Sequence, residues 1–594
     1  MPIDEPRPGP DRTEQLPFST PEKARRYDTS RYLGATGLNW WSCDPTLQLT
    51  TQWLMEPPAL EWARPRLERL GEIIGGPVSE RAEETDRHPP RLERYDRWGH
   101  DVSRVVMPAT FEDSKRDLLD NGFALPSVRD EAARAGVDLS VPSAAYSYML
   151  DQAEIGMACA LGTGGDMVHR LVERYAPDDV KERVLPKLAS GEWLGDTAQS
   201  LTERTGGSDL AAIETTATPD GDAWRLNGFK WFVSNANGHA WVVLAKPEGA
   251  PDTSRGICNF LVLTERRDGT RNGIRIRRLK DKLGTKAVAS AEVEFVDAEA
   301  FLLADPASAA GPDSAGDGRG LARMMDLTNG ARLGIAMMGL GCARRALVES
   351  LLYASARDAF GKALRDQPLM QRKLAELIVE VEAAQALVFD GWTRRLRLTA
   401  PLAKLRASRL GITAASDAIE IHGGNGYCET WPVARLLRDA QVNPIWEGPD
   451  NILCLDVRRA IQRESAHVPL LDHIRRAASR GPEGDPTVGV VERAADDLEA
   501  AVAAWSRLDP VTGEARLFTL SQLMCDVLSA ALLVEQAGFE ARQAGTDRKA
   551  VVARLYARDH LGERGRLRGL DDERAEDLER FKDLWDGALV DGRN

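Results

Sequence analysis

The 594-residue sequence contains no apolar run of ~18 residues, the length that crosses a bilayer as a helix, so no membrane-spanning segment is expected. It has no C-x-x-C pair, and its seven cysteines are odd in number. That argues against a disulfide framework or a structural zinc site and for buried or idle thiols. Positive charge is in deficit: 77 Lys and Arg face 91 Asp and Glu, for a formal net charge of −14. An acidic surface repels phosphate backbones, which argues against nucleic acid as a partner class. The deficit persists in residues 464–594, with 18 Lys and Arg against 25 Asp and Glu. There is no internal repeat, no strand–helix alternation, and no G-x-G-x-x-G after a strand pattern, so a Rossmann nicotinamide enzyme is disfavoured. The opening stretch MPIDEPRPGPDRTEQ carries charges and prolines where an apolar signal core would stand. A cytoplasmic location is the expectation.

What is present is globular: 43% hydrophobic and 28% charged residues, in a chain long enough for several domains. After a Pro-rich extension over residues 1–30, the texture is mostly helical from about 45 to 190, as in AYSYMLDQAEIGMACALG (145–162). From about 195 to 303 short apolar runs alternate with turn signals: WRLNGFKWFVSNA, WVVLA, ICNFLVL, IRI and SAEVEFV. These read as an antiparallel β domain. DPASAAGPDSAGDGRG (305–320) is a linker by composition. Long amphipathic patterns return at 331–360, 371–398 and 402–423, suggesting an antiparallel bundle. The expected fold is α+β and multidomain, in four units. These are an N-terminal extension with a helical domain (1–195), a middle antiparallel β domain (196–304), a C-terminal helical bundle (321–463), and an additional helical C-terminal region (464–594).

Three segments carry candidate chemistry. SLTERTGGSD places Thr202, Thr205, Gly206, Gly207 and Ser208 together. Adjacent glycines admit a flat ligand and hydroxyls supply donors, although a capped surface loop has the same composition. GFKWFVSNA sets Phe229, Trp231 and Phe232 beside Ser234, suiting either a planar cofactor or core packing. In the third segment, Gly423, Gly424 and Gly426 interrupt a helical pattern, and Glu447 follows between Trp446 and Gly448. Desolvation beside an indole raises a carboxyl towards the range of a general base. A helix-terminal Glu stabilised by the macrodipole is the alternative.

In order and spacing these motifs resemble the acyl-CoA dehydrogenase flavoprotein family. The likeness is good over 150–460 and looser before it. LTERTGGSD is similar to the family's flavin loop, with Arg204 where a Pro is usual, and GFKWFVSN to its flavin strand. ARDAFGKALRDQ is similar to the R-x-x-F-G stretch, one residue short before Gln367. HGGNGY is similar to the G-G-x-G loop, and IWEGPDN stands where the family has Y-E-G-T. LKDKLG, Glu420 and the region after 464 place the likeness in an AidB-like branch.

The resemblance implies an FAD enzyme. Thr202, Gly207 and Ser208 would hold the isoalloxazine, and Ser208 would also face substrate. Trp231, Phe232 and Ser234 would line the flavin, with the Ser234 hydroxyl near N5. Arg357, Phe360, Gln367, Gly423, Gly424 and Gly426 would complete the FAD site of a neighbouring subunit, hence a homotetramer. Arg332 would meet the CoA portion, while Trp446 and Gly448 would border the acyl group. Glu447 would take the α-proton of an acyl thioester, carried by CoA or a carrier protein, as hydride leaves Cβ for N5. Electron-transfer flavoprotein or oxygen would be the acceptor. Two alternatives share the scaffold: a flavin oxidase or monooxygenase, and an AidB-like stress-response flavoprotein. Pro449, Asp450 and Asn451 depart from the Thr, Ser and Gln usual after E-G.

Overall fold

The computed structural model describes residues 32–162, 167–193, 195–305, 318–562 and 576–592. The Pro-rich extension read over 1–30 and residues 306–317 of the 305–320 linker lie outside them. Helices dominate from Pro45 to Ala189. One β-hairpin, β1 (Arg91–Tyr95) and β2 (Asp101–Val106), interrupts them. The sequence reading takes this stretch as mostly helical and does not single out the hairpin. The hairpin exists because it backs onto the β domain, where the Ile276 amide donates to Ser103 Oγ at 2.8 Å. Helix α1 (Ser140–Ala153) buries most of its residues against the bundle described below.

The β domain comprises β3 (Thr197–Ser200), β4 (Thr216–Asp220), β5 (Ala223–Ser234), β6 (Ala240–Pro247), β7 (Cys258–Leu263), β8 (Ile274–Leu279) and β9 (Ser290–Leu303). Most pairings are antiparallel as expected. β6 differs: it pairs in parallel with β3 at one end and with β4 at the other. Both strands also pair with β5. The path β6–β7–β9–β5 therefore returns to β6 and closes a barrel. WVVLA is buried on both faces because Trp241, Val243 and Ala245 pack with β7 and β9 in one apolar cluster, while Val242 and Leu244 pack against the helices Val168–Tyr175 and Asp178–Ala189. The segment 201–215 loops out at the rim, between two strands that both pair with β5 and β6.

Beyond the linker, α2 (Gly320–Ala356), α3 (Pro368–Arg394), α4 (Thr399–His422) and α5 (Pro432–Ala440) form the bundle. α2 and α4 touch backbone to backbone. A Cβ on Gly339 would stand 2.5 Å from the Ala407 carbonyl oxygen. α6 (Asp450–Glu464) follows, then further helices including α7 (Leu517–Ala544) and α8 (Arg548–His560). α7 corrects the expectation of no long apolar segment: it is long and apolar enough to cross a membrane by length and composition. Its 18-residue apolar window is 72% buried within the protein, so the composition reflects a core position. Asp526 and Glu535 punctuate the run, paired with Arg406 and Arg480 respectively. Six cysteines are buried and Cys428 is exposed.

Candidate active site

Glu447 lies on a tight turn between α5 and α6. Its φ is +53°, left-handed for a residue with a side chain, and Gly448 follows at +96°. Such a conformation costs about 1–2 kcal/mol at the Glu and persists only when its surroundings enforce it. Two cations do so from different helices. Arg332 of α2 donates through Nε to the Glu447 carbonyl at 3.4 Å, and Lys404 of α4 through Nζ to the Gly448 carbonyl at 2.5 Å. Burial raises the Glu447 carboxyl above its ordinary value, and the charges of Lys404 and Arg332 partly offset this. Glu447 stands two residues before Pro449, the N-cap of α6, and outside that helix's first turn, whose acid is Asp450. Trp446 packs against the bundle core with its indole Nε1 buried and without a hydrogen-bond partner.

Arg332, expected to meet CoA, is buried instead, and its guanidinium faces inward. It pairs with Asp456 at 2.6 Å and reaches Asn329 Oδ1 at 3.2 Å. Asp456 also accepts from Arg397 at 2.6 Å. Arg332 therefore braces the turn. Asp450, where Ser is usual, forms an ion pair with Arg409 at 2.7 Å, so no free carboxylate stands beside the turn. Lys404, Asp456 and Arg397 escape the sequence reading. Lys404 sits in an unbroken buried stretch of α4, and a lysine there with no polar face around it is the available signal.

At the barrel rim the Trp231 amide donates to the Thr202 carbonyl at 2.8 Å, tying the 201–215 loop to β5. Beneath it Lys230, wholly buried, meets Glu203 at 2.6 Å. Burial lowers Lys230 to about 8 against the pull of that carboxylate. Gly207 and Ser208 are exposed, Thr202 and Ser234 half-buried, and Phe232 is 53% exposed. Ser234 Oγ lies 3.3 Å from Ser290 Oγ. Arg204 stacks over Phe229 and Trp231, at 4.9 and 4.6 Å from their ring centroids. Lys280 lies 3.2 Å from the Trp231 centroid. The Pro-to-Arg departure thus adds a cation to the aromatic strand.

A third group surrounds a cleft of about 300 Å³ lined by Tyr353, Arg357, His422, Gly423, Gly424 and Asn425 among others. Gly423 and Gly424 face open space. Gly426 does not: a Cβ there would stand 2.5 Å from the Ile419 carbonyl oxygen, so its role is packing against α4. Phe360 tips the hairpin of β10 (Asp358–Ala359) and β11 (Lys362–Ala363), left-handed at φ +54° and 98% exposed. Gln367 donates to the Ala359 carbonyl at 2.9 Å and steadies that hairpin.

Models of three families match consecutive parts of the chain. They are the adaptive response protein AidB N-terminal domain over 34–193, the acyl-CoA dehydrogenase middle domain over 198–298, and the acyl-CoA dehydrogenase C-terminal domain over 318–462. Putative acyl-CoA dehydrogenase AidB of Escherichia coli is 32% identical, over 69% of this chain and 76% of the relative. The chain belongs to the acyl-CoA dehydrogenase family. Acyl-CoA dehydrogenase family member 11 of Caenorhabditis elegans is 31% identical, over 72% of this chain and 71% of the relative. The crystal structure of C. elegans ACDH-11 in complex with C11-CoA superposes with a TM-score of 0.80 at 26% identity, covering 89% of this chain and 92% of that one. The chain thus has its family's fold of helical, β and helical units and belongs to a family of oxidoreductases whose cofactor is FAD.

Proposed function

We propose that the protein dehydrogenates an acyl thioester at Cα–Cβ, with FAD as cofactor and Glu447 as base. The observation that carries this is the Glu447 turn: a carboxylate raised by burial, displayed on a left-handed backbone, and braced by Arg332 and Lys404.

The residues present fit FAD. Trp231, Phe232 and Ser234 offer an aromatic wall with a hydroxyl, Thr202, Gly207 and Ser208 an accessible loop, and Arg357 a guanidinium at the cleft beside Gly423 and Gly424. Arginine binds pyrophosphate through two parallel hydrogen bonds. Bound FAD supplies the hydride acceptor for Cβ. Glu447 receives the α-proton on its carboxylate. Its raised pKa makes it a stronger base than an exposed glutamate, at the cost of requiring a pH above that pKa. Trp446 excludes water from one side, and Gly448 leaves the approach free of a side chain.

Acyl-CoA is the substrate class best supported, given the C11-CoA held by the C. elegans relative. Electron-transfer flavoprotein or oxygen takes the electrons onward. The open glycines and exposed Phe360 favour a homotetramer whose FAD sites are completed across subunits. Buried thiols suit a reducing cytoplasm. The test is Glu447→Gln, which keeps the shape and removes the proton acceptor. FAD should stay bound while flavin reduction by acyl-CoA falls by at least ~10². Retention of the wild-type rate would refute the assignment.

A further inference from the structure

Lys404 lies in the body of α4 with 0% of its surface exposed. A buried ammonium is costly unless acceptors or an opposite charge compensate it. Among the described residues its hydrogen-bond acceptor is the Gly448 carbonyl alone, so two of its three N–H groups remain available. The other charges around the turn are already matched. Arg332 from α2 is paired with Asp456 of α6, which Arg397 also contacts. Asp450 at the start of α6 is paired with Arg409 of α4. Lys404 and Glu447 are the two charges left without an ion-pair partner, and they sit on either side of one turn. Each acts on the other: burial lowers Lys404 to about 8 while the Glu447 charge resists, and burial raises Glu447 while the Lys404 charge resists.

We propose that Lys404 is a positioning residue for the base, fixing the Glu447–Gly448 turn through its carbonyl and holding the Glu447 carboxylate ionised at neutral pH. The catalytic meaning rests on Glu447 being the base, whereas the ionisation itself is measurable without substrate. Without the ammonium, a buried carboxyl would keep its proton to higher pH and be unable to accept one. The field has an upper limit too, since Lys404 loses its own charge near pH 8.

The experiment is an infrared titration of the full-length FAD-loaded protein, following the protonated-carboxyl band in the difference against Glu447→Gln. In Lys404→Met the Glu447 midpoint should move up by about one unit, tenfold in the ionisation constant, and Lys404→Arg should restore it. Lys404→Gln keeps a donor for the Gly448 carbonyl without the charge, so it should show the same upward shift even if Lys404→Met does not fold. A purely structural lysine would lower the melting temperature and leave the midpoint in place; an unmoved midpoint in Lys404→Gln overturns the proposal. A shifted midpoint in a protein that no acyl-CoA reduces would uphold the pairing and sink the proposed reaction.

Discussion

His560 shows how single side chains tie the C-terminal region to the bundle. Burial alone would lower its pKa, but hydrogen bonds to Asp526 of α7 and Glu380 of α3 carry it to about 9. The folded value lies above the ordinary ~6.5, so the charged histidine stabilises the fold fully below pH 6.5 and loses that effect as pH rises through 9. His560→Gln should therefore lower the melting temperature at pH 6 and have much less effect at pH 10, read by calorimetry across that range. An equal loss at both pH values would contradict the account. At this scale the sequence is informative where chemistry is concentrated and uninformative where charges pair at a distance. The raised pKa of Glu447 is legible because Trp446 is its neighbour in sequence. Lys404, 43 residues earlier in the chain, and Asp456 become intelligible only once α2, α4 and α6 pack. The bracing contact of Arg332 is hidden in the sequence because an arginine near a helix start reads equally as a ligand for anions or as a brace, and its partner Asp456 is 124 positions away.

Among the elements, periodicity reveals the long bundle helices and five of the barrel strands, since their apolar residues recur at the spacing of one buried face. It does not reveal the closure of the barrel. The parallel pairing of β6 with β3 and β4 joins residues some 30 to 45 apart, and no local pattern encodes it. The β1–β2 hairpin is hidden for a related reason: RLERY and DVSRVV are polar edge strands stabilised by contact with β8. α7 fails in the opposite direction, because two internal acids break the apolar run to the eye. Asp526 has Arg406 of α4 and Glu535 has Arg480, in the turn after the helix His467–Ala478, which is how so apolar a helix carries charge inside a core.

For the molecule as a whole, the 201–215 loop, the aromatic strand and the Glu447 turn belong to one chain, whereas the cleft at Arg357 opens outward beside an exposed Phe360. A fully exposed aromatic on a left-handed hairpin tip is poorly suited to water and well suited to a second copy. Arg357→Ala and Phe360→Ala should each loosen the assembly and weaken FAD retention together, measured by light scattering with flavin absorbance. A stable monomer with full flavin occupancy would contradict the shared site. The measurement that bears most directly on the central claim is the anaerobic visible spectrum of the FAD-loaded protein titrated with saturated acyl-CoAs of increasing chain length. The account predicts that at least one bleaches the oxidised flavin band and yields the 2,3-enoyl product in equal amount. A flavin that stays oxidised with every acyl-CoA, in protein that holds FAD fully, would contradict it.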